Sequence, residues 1–294
     1  MSKEFIRIIN LDLKEYNSFR ITSKAKDVYF PYSSEGVKQL FLEMEGYDPV
    51  ILGNGTNTIF TNEVCIRPVI ISTFLNNLSF DNNIITAGSG ASLSILSWFA
   101  LEKSRTGFEF LEDIPGTVGG ALYMDAGTYE DTIGDRVVSV MVYDYNDKKI
   151  KKLTKEELAS WWGKRNSYFQ QHPCFIIQAE FDASNIGDYE GILDKMLETK
   201  KKRYMKQPRN YPSAGSVFKR PYVNGEPRYI WKLFDEAGLR GYRIGDAQVS
   251  EKHPGFIVNI GNASGKDAVD LMNYCKQVVL DKYGIRIEEE WRII

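Results

Sequence analysis

The run Leu52-Gly53-Asn54-Gly55-Thr56-Asn57 closes a short apolar stretch, Pro49–Leu52, and is followed at once by the β-prone Thr58–Phe60. A chain that runs strand, glycine turn, strand is not a Rossmann unit, whose glycines must open a helix. The turn also lacks the closing Gly-Lys-Ser/Thr of a Walker loop. Glycines at 53 and 55 allow positive φ and a close approach to a ligand, where successive N–H groups form an anion nest. The alternative is an ordinary tight β-turn. A second stretch, Ile114-Pro115-Gly116-Thr117-Val118-Gly119-Gly120-Ala121, reads as a rigid wall poor in side chains. A pyrophosphate can lie against its amides with the Thr117 hydroxyl as a further donor; the alternative is a loop linking helix to strand. Two such stretches in one chain favour a dinucleotide held outside a Rossmann fold.

Around them the periodicity is mixed. Lys26–Phe30 reads as a strand, Glu35–Glu45 as a helix with Val37, Leu40 and Phe41 on one face, and Pro49–Leu52 as a second strand: a β-α-β unit. Cys65–Ile71, Leu78–Phe80 and Ile84–Ala87 read as short strands and Ser92–Lys103 as a helix stopped by Gly107. Val137–Tyr143 and Lys149–Leu153 flank a hairpin signal at Asn146-Asp147, and Thr154 to Glu157 is a capping box opening a helix through Trp162. A polar helix, Gly187–Tyr204, ends in the basic run Lys200–Arg203. Gln207-Pro208 and Tyr211-Pro212 follow as the strongest boundary signal. Beyond it come a helix near Tyr229–Ala237, a strand Gly255–Ile260, a helix Lys266–Tyr283 between Ser264 and Gly284, and a last strand Ile285–Ile294. The expected fold class is α+β, with an α+β head, a strand-rich middle and a small α+β tail.

Composition narrows the functional classes. A formal charge of −2 provides no global field for nucleic acid or an anionic membrane. Cys65, Cys174 and Cys275 are odd in number and far apart, which excludes a disulfide framework and suits a reducing compartment. The start of the chain has no apolar signal region and no run of ~18 apolar residues occurs, so a cytoplasmic location is expected. His172 and His253 have no Cys or His neighbours at metal-ligand spacing, and no Gly-x-Ser-x-Gly elbow is present.

Two further stretches can carry chemistry. In Pro212–Pro221, small residues precede Ser216, and Lys219 and Arg220 follow it. A hydroxyl presented from a tight turn beside two cations can donate a proton where negative charge develops; the alternative is an exposed turn with solvated cations. In Glu288-Glu289-Glu290, a strand would put Glu288 and Glu290 on one face, and three adjacent carboxylates otherwise form a solvated edge.

At these residues the chain resembles the UDP-N-acetylenolpyruvoylglucosamine reductase (MurB) family in its shorter form, over about residues 15–294 and in the right order. Leu52–Asn57 is similar to the family's Leu-Gly-Gly-Gly-Ser-Asn with Asn54 and Thr56 substituted. Gly107–Leu111 with Ile114–Ala121, Lys164–Ser167, Pro212–Lys219, Ala237–Gly241 with Gln248–His253, and Ile287–Arg292 match its other motifs. The resemblance implies a two-part FAD-binding module of the vanillyl-alcohol-oxidase/MurB type, residues 1–72 and 73–205, and a substrate domain over 206–294. It implies that FAD is bound by Gly53, Asn54, Gly55, Thr56, Asn57, Pro115, Gly116, Thr117, Gly119 and Gly120. It further implies that Ser216 is the general acid, that Arg165 and Glu290 stabilise the intermediate, and that Lys219 and Arg220 face a UDP-sugar substrate, with NADPH as hydride donor.

Departures from the family pattern stand beside the match. Thr22-Ser23 replaces Gly-Gly, so a positive φ there would be taken at a cost. Lys164 replaces a tyrosine, and Asp125 stands where asparagine is common, with loss of an amide donor. Two alternatives are a flavin-dependent oxidase of the same architecture, against which Ser216, Arg165 and Glu290 argue, and a paralogue that keeps the fold without catalysis, motivated by Thr22-Ser23 and Lys164.

Overall fold

Alternating Val, Ile, Tyr and Phe build the strands of this protein, and its helices begin at capped serines and threonines. The structure, a computed structural model, describes residues 3–127, 131–163 and 165–294. Contacts divide the chain into two compact units that interleave in sequence. Unit 1 holds residues up to Ile9, Asp27–Asn54 and Arg67–Arg203; unit 2 holds Asn10–Lys26, Gly55–Ile66 and Tyr204–Ile294.

In unit 1, strand Lys24–Pro31 enters from unit 2 and pairs in parallel with Val69–Ile71, which pairs in parallel with Val50–Leu52. Strand Phe5–Asp12 forms the far edge of this sheet. Ser33 caps helix Ser34–Glu43 by accepting from the Gly36 N–H, and the helix buries Val37 and Leu40 against Ile70, Tyr143, Phe175 and Ile177. The β-α-β unit expected from the sequence is present.

A second sheet in unit 1 is antiparallel throughout, in the order Lys149–Thr154, Val137–Asp144, Cys174–Asp182, Ile84–Gly88, Leu78–Asp81. One face packs on helix Leu93–Glu102 and on Phe108, Leu111, Val118 and Leu122. The central strand, Cys174–Asp182, is missing from the sequence reading, although its alternation of buried Phe175, Ile177, Ala179 and Phe181 is that of a strand. Helix Tyr189–Lys206 docks Ile192 and Met196 on Leu101.

Unit 2 is built on the sheet Ser213–Ser216, Phe256–Asn259, Ala247–Val249, Arg243–Ile244, all antiparallel. Helix Gly265–Tyr283 runs from a capping box at Ser264 and Asp267 to Gly284 at φ 66°, as the sequence indicates. Thr58–Ile59 pairs in parallel with Arg292–Ile293, so the last residues of the chain close onto residues that follow the first glycine turn.

Several expectations are shortened. Cys65–Ile71 is two strands, Val64–Cys65 and Val69–Ile71, separated around Pro68, which has no N–H to donate. The helix expected through Trp162 is capped as expected by Thr154 and Glu157 but spans only Lys155–Ala159. The last strand is Arg292–Ile293 rather than Ile285–Ile294, because Glu288 to Glu290 meet Val217–Lys219 only through an isolated bridge and flanking hydrogen bonds. Among the described residues no helix is long and apolar enough to cross a membrane.

Candidate functional site

The two glycine stretches meet in unit 1. A Cβ on Gly53 would lie 2.2 Å from Thr117 Oγ1 and 3.1 Å from its Cγ2, so the first turn runs directly against the second and only glycine fits. Thr117 is buried, caps helix Val118–Met124 through the Gly120 N–H, and sits in a bridge to Ser92 flanked by Leu93 N–H to Gly116 O and Val118 N–H to Ala91 O. The wall expected over 114–121 is therefore a loop only as far as Thr117. Gly119 and Gly120 lie in the helix, where Gly119 lets it approach Ser89: a Cβ there would stand 2.9 Å from the serine Cβ. Pro115 and Gly120 are exposed and Gly116 is half-buried.

The other end of the same short helix is met by Arg165. Its C-terminal carbonyls are strapped by the segment that follows Lys164, a residue outside those described. Tyr123 O accepts from Ser167 Oγ and Gln170 Nε2, and Asp125 O accepts from Arg165 Nη1 at 3.2 Å. Arg165 itself has φ 61°. Asp125, the family's usual asparagine position, is buried in the left-handed region at φ 43°, a conformation that asparagine and aspartate tolerate best. Its Oδ1 accepts from the Gly134 N–H at 3.3 Å, so the acceptor half of an asparagine amide is retained.

Burial raises the Asp125 carboxyl above the usual carboxylate range, opposed by hydrogen bonds from Thr132 and Gly134. The folded chain then holds this proton more tightly than the unfolded chain. Stability falls as pH rises from the ordinary carboxylate value through the raised one, and stays lower above it. Asp125→Asn removes that loss while keeping the acceptor for Gly134. At neutral pH the variant is expected to unfold at a higher temperature than wild type, with the gain vanishing in acid. Melting curves at pH 7 and pH 4 check this; equal midpoints at pH 7 would show that the carboxylate costs nothing there.

Unit 2 gathers the remaining candidates. Gly55 has φ 60° and is buried, and a Cβ on it would lie 2.2 Å from Tyr16 O. Gly55 O accepts from the Ser18 N–H, and Ser18 Oγ donates to Ser213 O at 2.7 Å. Asn57 Nδ2 donates to Glu290 O at 2.9 Å, Glu290 N–H to Val217 O, and Lys219 N–H to Glu288 O. Ser216, exposed at the end of its strand, and Glu290 are thus on adjacent backbone, with Thr56 O 3.6 Å from a Cβ at Gly215. The tight turn expected around Ser216 is instead a strand, Ser213–Ser216, with the left-handed residue at Gly215, φ 77°.

Lys219 is ion-paired with Glu288 at 3.5 Å, and Glu289 with Lys276 at 2.6 Å. The Arg220 guanidinium lies 4.3 Å from the centre of the Tyr229 ring, and burial lowers its pKa. Neither Thr22 nor Ser23 has a positive φ; the left-handed residue is Arg20, φ 63°, and Ser23 is buried with its hydroxyl donating to Asn62 O. The cost expected from replacing Gly-Gly is therefore not incurred. Tyr16 to Ser18, which seat Gly55, were not among the sequence candidates; the polar Asn17-Ser18 pair is their only signal.

Residues 207–294 match the family described as UDP-N-acetylenolpyruvoylglucosamine reductase, C-terminal domain, and residues 28–154 match the FAD binding domain. A UDP-N-acetylenolpyruvoylglucosamine reductase of Caldanaerobacter subterraneus is 40% identical over an alignment covering 99% of this chain and 95% of that one. This chain belongs to the UDP-N-acetylenolpyruvoylglucosamine reductase family. The Fusobacterium nucleatum member of that family is 36% identical over 97% of this chain and 98% of its own. The crystal structure of the family's Thermus caldophilus member aligns with a TM-score of 0.80 at 29% identity, covering 98% of each chain. The expected resemblance, the α+β FAD-binding fold and FAD as cofactor all hold for this reductase-family chain.

The local geometry fits such a cofactor. Among the described residues, the N–H groups of Gly53, Asn54, Gly55 and Thr56 donate to no protein acceptor, and neither do those of Gly116 and Thr117. Consecutive open amides on a turn with no room for a Cβ are what a phosphate-bearing ligand needs from a backbone.

Proposed function

We propose that this chain reduces the enolpyruvyl ether of UDP-N-acetylglucosamine enolpyruvate to UDP-N-acetylmuramate, with NADPH as the electron source, in the cytoplasm. The step belongs to peptidoglycan precursor synthesis and hence to cell-wall growth, cell shape and division. The observation that carries the reading is the near-complete alignment, at 40% identity, with a protein bearing that reductase name. In this reading residues 1–72 and 73–205 hold FAD and 206–294 bind the sugar nucleotide.

FAD held by these residues would supply the redox chemistry, the passage of a hydride from NADPH to the terminal carbon of the enolpyruvyl group. The chain's residues do the rest. Gly53, Asn54, Gly55 and Thr56, with Gly116 and Thr117, offer backbone amides to the dinucleotide and Thr117 a hydroxyl, while Asn57, Pro115, Gly119 and Gly120 line its site. Arg165 braces the substrate carboxylate with paired charge-assisted hydrogen bonds as negative charge builds on it. Ser216 Oγ gives its proton to the carbon next to that carboxylate, so that one hydride and one proton are added across the double bond. Glu290, fixed by backbone bonds to Val217 and Asn57, sets the hydrogen bonding of that hydroxyl. Lys219 and Arg220 neutralise the diphosphate of the UDP-sugar.

The test is consumption of NADPH by the FAD-loaded protein without dioxygen. Oxidation that proceeds one-for-one with the enolpyruvyl sugar supports the reading. Oxidation that requires dioxygen and ignores the sugar points to an oxidase.

A further inference from the structure

Glu112 lies two residues before the second glycine stretch and is one of the most deeply buried acids in unit 1, with a side chain 2% exposed. Its Oε1 accepts from Lys200 Nζ at 3.0 Å, while its Oε2 is buried with no hydrogen-bond partner among the described residues. Compensation of this carboxylate therefore falls on Lys200, and a buried charge that loses its counter-ion is strongly unfavourable. One turn further along the same helix, Arg203 Nε donates to Asp113 O at 3.3 Å and lies 3.6 Å from Asp113 Oδ2. Spacing of three residues puts the two cations on one helix face.

Asp113 also occupies the left-handed region, φ 67°, a conformation open to aspartate. From the other side the loop is tied to helix Leu93–Glu102. Asp113 N–H donates to Ser94 Oγ at 2.9 Å, and Leu93 N–H donates to Gly116 O at 3.2 Å. The segment from Glu112 to Gly116 is thus held between two helices, by hydrogen bonds on one side and by two ion pairs on the other. Its last residue is followed by Thr117, which lies against Gly53.

We infer that Lys200 and Arg203 are positioning residues for the flavin: by clamping Glu112 and Asp113 they fix where Gly116 and Thr117 present their amides. The inference rests on the assignment of those two residues to FAD. It also gives the basic run Lys200–Arg203 a local purpose, since two of its four residues are committed to this loop.

The experiment measures FAD affinity of the deflavinated full chain by flavin fluorescence, together with thermal unfolding without FAD. Lys200→Met is expected to raise the Kd for FAD at least ~10-fold, and Lys200→Arg to bring it back within ~3-fold of wild type. Glu112→Gln, which leaves no buried charge behind and so folds, is expected to raise the Kd by a similar factor without lowering the unfolding temperature. A Kd within ~2-fold of wild type in folded Lys200→Met or Glu112→Gln overturns the inference. So does a defect that Lys200→Arg fails to rescue. A wild-type chain that takes up no FAD overturns the flavin assignment itself, and this inference with it.

Discussion

Ser216→Ala is expected to slow turnover of the enolpyruvyl sugar by ~10²-fold or more, the usual scale for removing a general acid, while reduction of bound FAD by NADPH keeps its wild-type rate. The two half-reactions separate because hydride transfer from NADPH needs no proton from this hydroxyl, whereas completion of the substrate does. Ser216 is exposed at the end of a strand whose backbone is held by Phe256 and by the Val217 contact to Glu290, so deletion of its Oγ removes no buried packing. Rapid-mixing absorbance in each half-reaction checks the prediction. Equal slowing of both halves would make Ser216 a structural residue. Glu290→Gln belongs to the same comparison: it should retain flavin and slow only the second half-reaction, since the Glu290 backbone is held by hydrogen bonds to Val217 and Asn57 that the substitution leaves in place.

Gly53→Ala is expected to weaken FAD binding by about 10- to 100-fold, a range corresponding to the 1–3 kcal/mol typical of overpacking. The new Cβ would overlap Thr117 Oγ1 at 2.2 Å. Thr117 is buried and its hydroxyl accepts from the Gly120 N–H, so it yields only by giving up its helix cap or by pushing the two turns apart. Either response moves open amides. Gly191→Ala is a fair control, because a Cβ there meets only the Asp188 side chain at 3.5 Å and the residue lies in a helix of the same unit. Titration of the deflavinated variants with FAD checks both. Unchanged affinity in Gly53→Ala would mean that the first glycine turn does not hold the flavin.

Much of this architecture is legible in residue order because local rules and the fold agree. Ser33, Thr154 and Ser264 start helices by the hydrogen bonds their side chains make, and Gly284 ends one because it accepts a left-handed φ. The turn at Leu52–Asn57 is readable because β-prone residues follow it, and Thr58–Ile59 is indeed a strand. What escaped the reading is non-local. Cys174–Asp182 is central in its sheet only because Val137–Asp144 and Ile84–Gly88 come to either side of it. Asn10–Lys26 and Gly55–Ile66 join the unit of the C-terminal ~90 residues through contacts such as Asn259 Nδ2 to Phe19 O and the ring packing of Phe19 on Trp291, which no window of sequence contains.

The candidate site divides in the same way. Residue type and spacing single out both glycine stretches and Ser216 as candidates, but not the mutual fit of Gly53 and Thr117. Asp125 was read as a lost donor, whereas its backbone conformation and its acceptor role toward Gly134 explain why aspartate serves there. The three glutamates before Trp291 could not be told apart by pattern; Glu288 and Glu289 pair with Lys219 and Lys276, and Glu290 lies beside Val217.

The most direct measurement is a single turnover without dioxygen: FAD-loaded protein reduced with one equivalent of NADPH, then mixed with UDP-N-acetylglucosamine enolpyruvate while the visible absorbance is followed. The account predicts return of the oxidised flavin spectrum together with formation of one equivalent of UDP-N-acetylmuramate. Flavin that stays reduced until air is admitted would contradict it.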